Sequence, residues 1–338
     1  MRFLLFALIF LGYATTASAA IWSKKQINGR SYVTIESIAR FYKLSRPVPS
    51  GNGFAVTKGK VRITGQNGAN VIFINGLRFV LSFPVEKDGG GYLISQLDVA
   101  KLIDPVMRPN RIRGAKRINT VVLDAGHGGH DRGARSYFGD EKDFALDVAL
   151  RTKSLLTKKG LKVVMTRTTD RFIPLETRAN IANAYSNAIF ISIHFNSGGS
   201  SATGIETYAM APQGAQGTNG TSSLSLIRHK WNGNRCDELN AALATTLHNG
   251  ILRATRLYDR GVKRARFAVL RQIVIPGALV ECGFLSNPSE ARKVAMATYR
   301  TNLAKAISRA VIVYKNAVSN DRATTDNGKN TLRMAHSE

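Results

Sequence analysis

The sequence predicts an α/β protein: a mostly parallel sheet with helices on both faces, preceded by a small α+β domain. From Ile118 onward, apolar runs typical of strands alternate with segments of helical periodicity, which is the pattern of βαβ proteins. Three of the runs are almost continuously apolar, as in parallel strands that are buried on both faces: VVL at 121–123, AIFISI at 188–193 and GALV at 277–280.

Each of these three runs is followed closely by a residue that can bind a metal or move a proton: His127, His194 and Glu281. Functional groups of open α/β sheets collect outside the carboxyl ends of the strands. If the three strands are parallel neighbours, their ends lie at one edge of the sheet, and we expect the three side chains to meet there. Glycines at 126 and 128 give the chain the freedom to turn sharply around His127.

The remaining elements of this half follow from periodicity and turn residues. Strands are predicted at 161–166, 204–210 and 267–271. Residues 212–234 are rich in Gly, Ser and Thr and are expected to form a long loop, of the kind that often covers a site. Helices are predicted over about 141–159, from Pro174 onward, over 237–257, and near 289–297 and 299–318.

The first 19 residues have the pattern of a signal peptide. They contain one Arg, an apolar run from Phe3 to Leu11, and Ala17-Ser18-Ala19 before the expected cleavage site. The apolar run is too short for a membrane anchor, which needs about 20 residues. We therefore predict an exported protein, located in the periplasm, the cell envelope or outside the cell, with no membrane span in the mature chain.

The charge of the chain is strongly positive, with a formal net charge of +26. Residues 20–116 contain 16 Lys and Arg against 5 Asp and Glu. In a cytosolic protein this excess would favour nucleic acid, but for an exported protein we expect none. The polyanions available outside are the carboxylates and phosphates of the envelope. A basic, solvated surface without a specific partner explains the composition equally well.

The chain divides into regions by composition. Residues 20–108 combine short alternating strands with turn signals such as Asn28-Gly29 and Asn75-Gly76, which predicts the small α+β domain. Its stretch VIFINGLRFVLSFPVEKDGGGYLI resembles the small domains of the copper amine oxidase N-terminal type, although no copper is implied. We expect a binding or spacing module here, a basic linker at 109–117, a catalytic domain at 118–318 and a disordered tail at 319–338.

The residue types at the sheet edge indicate metal-assisted hydrolysis. Zinc in hydrolases usually has three protein ligands and one position for water, and His127 and His194 would supply two. Glu141, which opens the helix after the first loop, is a candidate for the third, but Asp140 and Asp143 compete with it. Glu281 would then take a proton from the water, unless it merely pairs with an Arg.

A series of motifs then suggests a family. DAGHGGHDRGA, the helix that begins at Glu141, MTRTTDRFIPLETRANIANA, FISIHFNS, GIETY, DRGVKRARFAVLR and PGALVECGFLSNPSEA occur in this order. The set closely resembles the zinc-dependent N-acetylmuramoyl-L-alanine amidases of bacterial cell walls, over nearly all of residues 118–317. The resemblance implies that zinc is held by His127, Glu141 and His194, and that Glu281 is catalytic.

Three further matches, Arg167, Arg178 and Asn196, are implied to be structural or to position the substrate; we single out Asn196 and Arg178 as candidate substrate-binding residues. The loop at 212–234 lies where some relatives carry a regulatory helix that blocks the site. Control by this loop or by an activator protein therefore stays open, and so does a disulfide between Cys236 and Cys282, which an exported protein permits. We favour Cys282 as a small buried residue.

The implied reaction is cleavage of the peptidoglycan amide between the lactyl group of N-acetylmuramic acid and L-alanine. Two alternatives stay open. One is a non-catalytic peptidoglycan-binding protein of the same fold, which an intact Glu281 argues against. The other is a zinc peptidase that cuts within the stem peptide.

Overall fold

The computed structural model describes residues 22–89, 91–218, 220 and 222–319, so the predicted signal peptide and nearly all of the predicted tail lie outside the described residues. The strands are β1 (Lys24–Ile27), β2 (Arg30–Thr34), β3 (Val48–Pro49), β4 (Gly53–Lys58), β5 (Val61–Gln66), β6 (Val71–Ile74), β7 (Leu77–Val80), β8 (Glu86–Asp88), β9 (Gly91–Ser95), β10 (Thr120–Ala125), β11 (Arg135–Ser136), β12 (Gly139–Asp140), β13 (Lys162–Met165), β14 (Ala188–Asn196), β15 (Ile205–Met210), β16 (Asp259–Ala265) and β17 (Gly277–Phe284).

The helices include every one predicted for the second half of the chain. They are α1 (Ile35–Phe41), α2 (Gln96–Asp98), α3 (Asp104–Met107), α4 (Glu141–Thr157), α5 (Leu175–Asn183), α6 (Leu224–Arg228), α7 (Asp237–Thr255), α8 (Ala268–Gln272), α9 (Pro288–Ala295) and α10 (Ala297–Val318). Within the described ranges, no helix is both long enough and apolar enough to span a bilayer.

One large mixed sheet runs through both halves of the molecule. Its eleven strands lie in the order β13-β10-β14-β17-β15-β16-β7-β6-β5-β4-β3. Among the six strands of the second half, all neighbours are parallel except β15 and β17. The first half adds five strands, which are antiparallel to one another. The predicted mostly parallel sheet is therefore confirmed only for the second half.

Helices cover both faces of the six-stranded part, so its central strands β10, β14 and β17 are buried on both sides. Val121, Leu123 and Val280 belong to one apolar cluster with residues of α4, α7 and α10. Val122 and Leu279, which alternate with them, belong to a second cluster with α5 and α8. This arrangement leaves the carboxyl ends of β10, β14 and β17 side by side at one edge, as the sequence predicts.

The N-terminal region is attached to the second half more closely than a linker would require. It has a small antiparallel sheet of its own, β1-β2-β9-β8, but its strand β7 pairs in parallel with β16 through Phe79 and Val262. Arg264 of β16 also donates to the carboxylate of Asp98 at 3.0 Å, and both side chains are almost fully buried. The domain boundary at 109–117 remains a prediction, but the two halves share a sheet and a core.

Two predicted elements are wrong. Residues 267–271 are not a strand: α8 occupies most of this segment, and the strand is β16, a few residues earlier. The sequence of β16, DRGVKRA, is rich in charge, and Arg264 is buried only because a distant carboxylate neutralises it. The predicted loop at 212–234 is also not wholly irregular, since it contains the short helix α6.

We expect the substitution Arg264→Met to lower the free energy of unfolding by about 3 kcal/mol, because it leaves the Asp98 carboxylate buried without its cation. Urea unfolding followed by tryptophan fluorescence measures this change. The matched control is Lys25→Met, which removes the exposed ion pair with Asp88 and should cost at most about 1 kcal/mol. Equal losses in the two variants would contradict the role given to Arg264.

Candidate metal centre and active site

His127 lies two residues after the end of β10 and has a left-handed backbone conformation, with a φ of 57°. Positive φ is uncommon for a residue with a side chain and costs of order 1–3 kcal/mol. The following glycines let the turn lie close to a neighbouring loop, because a Cβ at Gly128 would come within 2.2 Å of the backbone oxygen of Arg171. The site therefore begins with a backbone conformation that the surrounding structure must hold in place.

Two buried arginines hold this turn. Arg178 donates to the carboxylate of Asp124 and to three backbone carbonyl oxygens, including that of His127 at 2.7 Å. Arg167 donates to four backbone carbonyl oxygens around the turn. Arg178 is only 2% exposed. Its predicted role in substrate binding is thus not supported, because its guanidinium is enclosed and bonded within the protein.

His194 lies near the end of β14, between β10 and β17. Its ring occupies the space above Gly126, where a Cβ would come within 2.4 Å of His194 Cε1. The rings of His194 and His127 are nearly perpendicular, with centroids 4.9 Å apart. The absence of a side chain at position 126 therefore gives the second imidazole its place.

Glu141, the first residue of α4, puts its carboxylate between the two imidazoles. Its Oε1 lies 3.1 Å from His127 Nε2 and 2.8 Å from His194 Nδ1. The backbone N–H groups of Ala134 and Phe195 donate to the same carboxylate. Burial alone would raise the pKa of Glu141, but the hydrogen bonds from the imidazoles outweigh it and hold this pKa well below its usual range. Glu141 is thus an anion at neutral pH.

The two competing acids lie elsewhere. Asp140 forms an ion pair with Arg132 at 2.5 Å, and Asp143 is exposed to solvent. Neither belongs to the group of side chains that His127 and His194 form with Glu141. The structure therefore favours Glu141 as the third candidate ligand.

These three residues fit a metal ion. One potential ligand atom from each of His127, Glu141 and His194 lies within 4.8 Å of the others, and two imidazoles with one carboxylate are a usual donor set for a transition metal. The electrostatics agree with this fit. Burial would lower the pKa of His194, but the Glu141 carboxylate raises it to about 9, so the site stabilises positive charge.

Asp131 orients the imidazole of His127. The sequence did not single out this residue. Its Oδ2 lies 2.9 Å from His127 Nδ1, which leaves Nε2 of the same ring facing Glu141. Metal-binding histidines usually donate their second ring N–H to a carboxylate in this way. The spacing of four residues between His127 and Asp131 was visible in the sequence, but the left-handed turn that brings the two together was not.

Glu281 lies beside the metal candidates, in register with His194 on the neighbouring strand. Its Oε2 is buried and makes no hydrogen bond within the described part of the chain. Burial raises the pKa of Glu281 to about 7, in spite of the nearby imidazole of His194. A carboxylate with a free oxygen and a pKa near neutrality has the properties of a general base.

Asn196, the other predicted substrate-binding residue, is half-buried at the end of β14. Its amide nitrogen donates to Glu206 at 3.1 Å, and its amide oxygen accepts a hydrogen bond from the backbone of Ser197. A role for Asn196 in binding substrate stays a prediction. Glu206 was also missed, because only the antiparallel pairing of β15 with β17 brings it opposite Glu281.

The two cysteines do not form a disulfide. Cys282 is buried in β17, as expected for a small core residue. Burial raises the pKa of Cys236 to about 11 and also raises the pKa of Cys282. Neither thiol is therefore activated as a nucleophile.

Known proteins that resemble this chain match the segment that contains the candidate site. Residues 121–313 match the family model described as N-acetylmuramoyl-L-alanine amidase. The chain belongs to this amidase family. The matched segment contains both imidazoles, the bridging carboxylate and Glu281, so the family and the geometry concern the same part of the molecule.

Several relatives carry the same description. The chain is 33% identical to the sporulation-specific N-acetylmuramoyl-L-alanine amidase of Bacillus subtilis (strain 168) over 187 residues, which are 55% of this chain and 64% of that protein. It is 33% identical over 239 residues to the amidase AmiA of Escherichia coli (strain K12), covering 62% of this chain and 80% of AmiA. The crystal structure of an N-acetylmuramoyl-L-alanine amidase from Clostridium difficile 630 is 34% identical, with a TM-score of 0.49 over 60% of this chain and 98% of that one.

We expect Gly126→Ala to reduce metal binding strongly, because the added methyl group would displace the ring of His194. Elemental analysis of the purified proteins, together with titration of metal into stripped protein, measures the loss. Gly199→Ala is the matched control, since a Cβ there meets nothing within 4 Å. Normal metal content in Gly126→Ala would show that His194 is not needed to hold the ion.

Proposed function

We propose that this protein is a zinc-dependent peptidoglycan hydrolase that cleaves the amide between N-acetylmuramic acid and L-alanine. The observation that carries the proposal is the placement of Glu281, a buried acid with a free oxygen, beside the three candidate ligands. Membership in the amidase family supports the substrate. The donor set of His127, Glu141 and His194 supports zinc, which in hydrolases is usually bound by three protein ligands.

The chain's own residues then have distinct tasks. A bound zinc ion would lower the pKa of a water molecule from 15.7 to about 7 and polarise the scissile carbonyl. Asp131 fixes the ring of His127, and the carboxylate of Glu141 lies between the two imidazoles and supplies the negative charge of the donor set. Glu281 accepts the proton of the attacking water and delivers it to the amine of L-alanine as the carbon–nitrogen bond breaks. The products are a free lactyl carboxylate and a peptide with a free amino terminus.

Two variants separate metal binding from proton transfer. Glu281→Gln should retain zinc but lose nearly all hydrolysis, about 100-fold or more, because it removes only the proton acceptor. His194→Ala should lose both zinc and activity, since two remaining ligands hold the ion weakly. Metal analysis and the rate of release of peptide from purified sacculi are the two measurements. Near-normal turnover by Glu281→Gln would overturn the role of Glu281.

Mass spectrometry of the digested sacculi distinguishes the proposed reaction from its rivals. The amidase reaction releases intact stem peptides that begin with L-alanine. A peptidase would instead leave muropeptides with shortened stems. A non-catalytic binding protein would release no peptide, and the wild-type and Glu281→Gln digests would then be identical.

We also propose that the protein is exported and that its N-terminal region holds it on the anionic envelope. This region carries much of the positive charge of the chain, and ten of its basic side chains are exposed: Lys24, Lys25, Arg30, Arg40, Lys43, Arg46, Lys58, Lys60, Arg62 and Lys87. Attraction between exposed charges is long-ranged at low salt only, because the Debye length falls from about 10 Å at 0.1 M to about 3 Å at 1 M.

We expect sedimentation of the full chain with purified sacculi to weaken as salt rises. Replacing Lys58, Lys60 and Arg62, which lie in and beside the turn between β4 and β5, by glutamine should reduce pelleting at 0.1 M salt and leave it unchanged at 1 M. The control replaces three exposed basic residues of the second half, Lys158, Lys159 and Arg253. Equal effects of the two triple variants would indicate net charge alone and contradict a tether in the N-terminal region.

A further inference from the structure

A second cluster of charged residues, outside the candidate metal ligands, is centred on Glu206. This residue belongs to β15 and lies directly opposite Glu281 in the antiparallel pair. Residues that are directly opposite in such a pair point to the same face of the sheet. Glu206 is 3% exposed, yet it lies at the edge where β10, β14 and β17 end. A buried carboxylate at this place must be compensated by its neighbours.

Both carboxylate oxygens of Glu206 accept hydrogen bonds. Oε1 of Glu206 accepts hydrogen bonds from Arg260 Nε at 2.5 Å and from Lys263 Nζ at 2.7 Å. Oε2 accepts from the hydroxyl of Tyr208 at 2.5 Å and from the amide of Asn196 at 3.1 Å. Two cations and two neutral donors therefore compensate Glu206, while Glu281, directly opposite it, is a second acid beside the cluster.

Arg260 is oriented with its unused donors outward. Glu206 engages only its Nε, and the guanidinium carbon lies 4.9 Å from the centre of the Phe284 ring at the end of β17. Across the described ranges, the two terminal nitrogens make no hydrogen bond to the chain, and they are not among the buried atoms without a partner. A third of the side chain is exposed. This leaves a fixed, solvent-facing pair of N–H donors, the geometry that binds a carboxylate through two parallel hydrogen bonds.

A short peptide can span the distance between Glu281 and Arg260, which belongs to the cluster centred on Glu206. Arg260 is on β16, two strands from β17, which carries Glu281. Neighbouring strands are about 4.8 Å apart, so the backbones of β16 and β17 are about 10 Å apart. An extended peptide covers that distance in about three residues. The Arg260 side chain extends toward β15 and β17, where it contacts Glu206 and Phe284. A peptide held with its first amide at Glu281 therefore meets the guanidinium with its second or third residue.

We propose that Arg260, held by Glu206 and assisted by Lys263, is a subsite for a carboxylate of the stem peptide, two or three residues beyond the cleaved bond. The inference rests on the proposed function for the identity of the peptide. It assigns to the DRGVK segment a role in selecting substrate, distinct from metal binding and proton transfer. Asn196, on the other oxygen of Glu206, is positioned by the same carboxylate.

The test uses two synthetic muramyl tripeptides that differ at one group: the terminal carboxylate of the third residue is either free or converted to the carboxamide. For the wild-type protein we expect kcat/KM to be about 10-fold to 100-fold higher for the carboxylate, the range for a hydrogen bond to a charged group. Arg260→Gln should abolish the preference, mainly by raising KM for the carboxylate form. Arg260→Lys should restore only part of it, because an ammonium does not offer two parallel donors.

Arg253→Gln is the matched control, since it removes an exposed Arg on α7 and should preserve the preference. If Arg260→Gln lowers kcat/KM equally for both peptides, or leaves the wild-type preference intact, the subsite is refuted. A series with the carboxylate at the second residue, tested in the same way, decides between the two positions. A preference at neither position refutes the proposal.

Binding separates this proposal from the proposed function. The zinc-loaded Glu281→Gln protein, with and without Arg260→Gln, is titrated with both peptides by calorimetry. Carboxylate-dependent binding that disappears with Arg260→Gln supports the subsite, even if the wild-type protein cleaves neither peptide and the hydrolase proposal fails. Cleavage of both peptides, with binding that is the same for carboxylate and carboxamide, overturns the subsite and leaves the hydrolase proposal standing.

Discussion

The candidate site depends on one buried carboxylate, that of Glu141. It bridges two imidazoles that come from different strands, and backbone N–H groups from both sides of the site fix its own position. Without it, the rings of His127 and His194 would face each other across a buried gap, and the positive charge of a metal ion would lack an anion. Glu141 is the first residue of α4, and the helix dipole also favours an acidic group at that position.

The strand ends and their polar residues could be predicted from the sequence. Continuous apolar runs identify parallel strands, and parallel strands bring His127, His194 and Glu281 to one edge because their ends coincide. The choice of Glu141 over Asp140 and Asp143 came from the family resemblance, because three acids in one helical turn have the same local pattern. Only the fold shows that Asp140 turns toward Arg132.

Other features could not be predicted because they depend on contacts between distant parts of the chain. Arg178 was a candidate substrate-binding residue, yet it is buried because the carboxylate of Asp124 and three backbone oxygens accept its hydrogen bonds. The role of Glu206 depends on β15 running antiparallel to β17, and a short strand between loops does not reveal its direction. The strand β16 was missed because its charged residues are neutralised by partners far away in sequence.

The reversed strand β15 has a geometric effect on the site. In a wholly parallel sheet, only strand ends and the loops that follow them surround a ligand. Here β15 and β16 begin at the edge where β10, β14 and β17 end. The first residues of two strands therefore lie beside the last residues of three others.

The pairing of β7 with β16, together with the buried contact of Arg264 with Asp98, makes the N-terminal region part of the catalytic framework. A transplanted amidase segment would present an open strand edge, and an open edge is a template for pairing with other chains. In this molecule β7 occupies that edge of β16, so the region before the amidase segment also protects the segment from association with other chains.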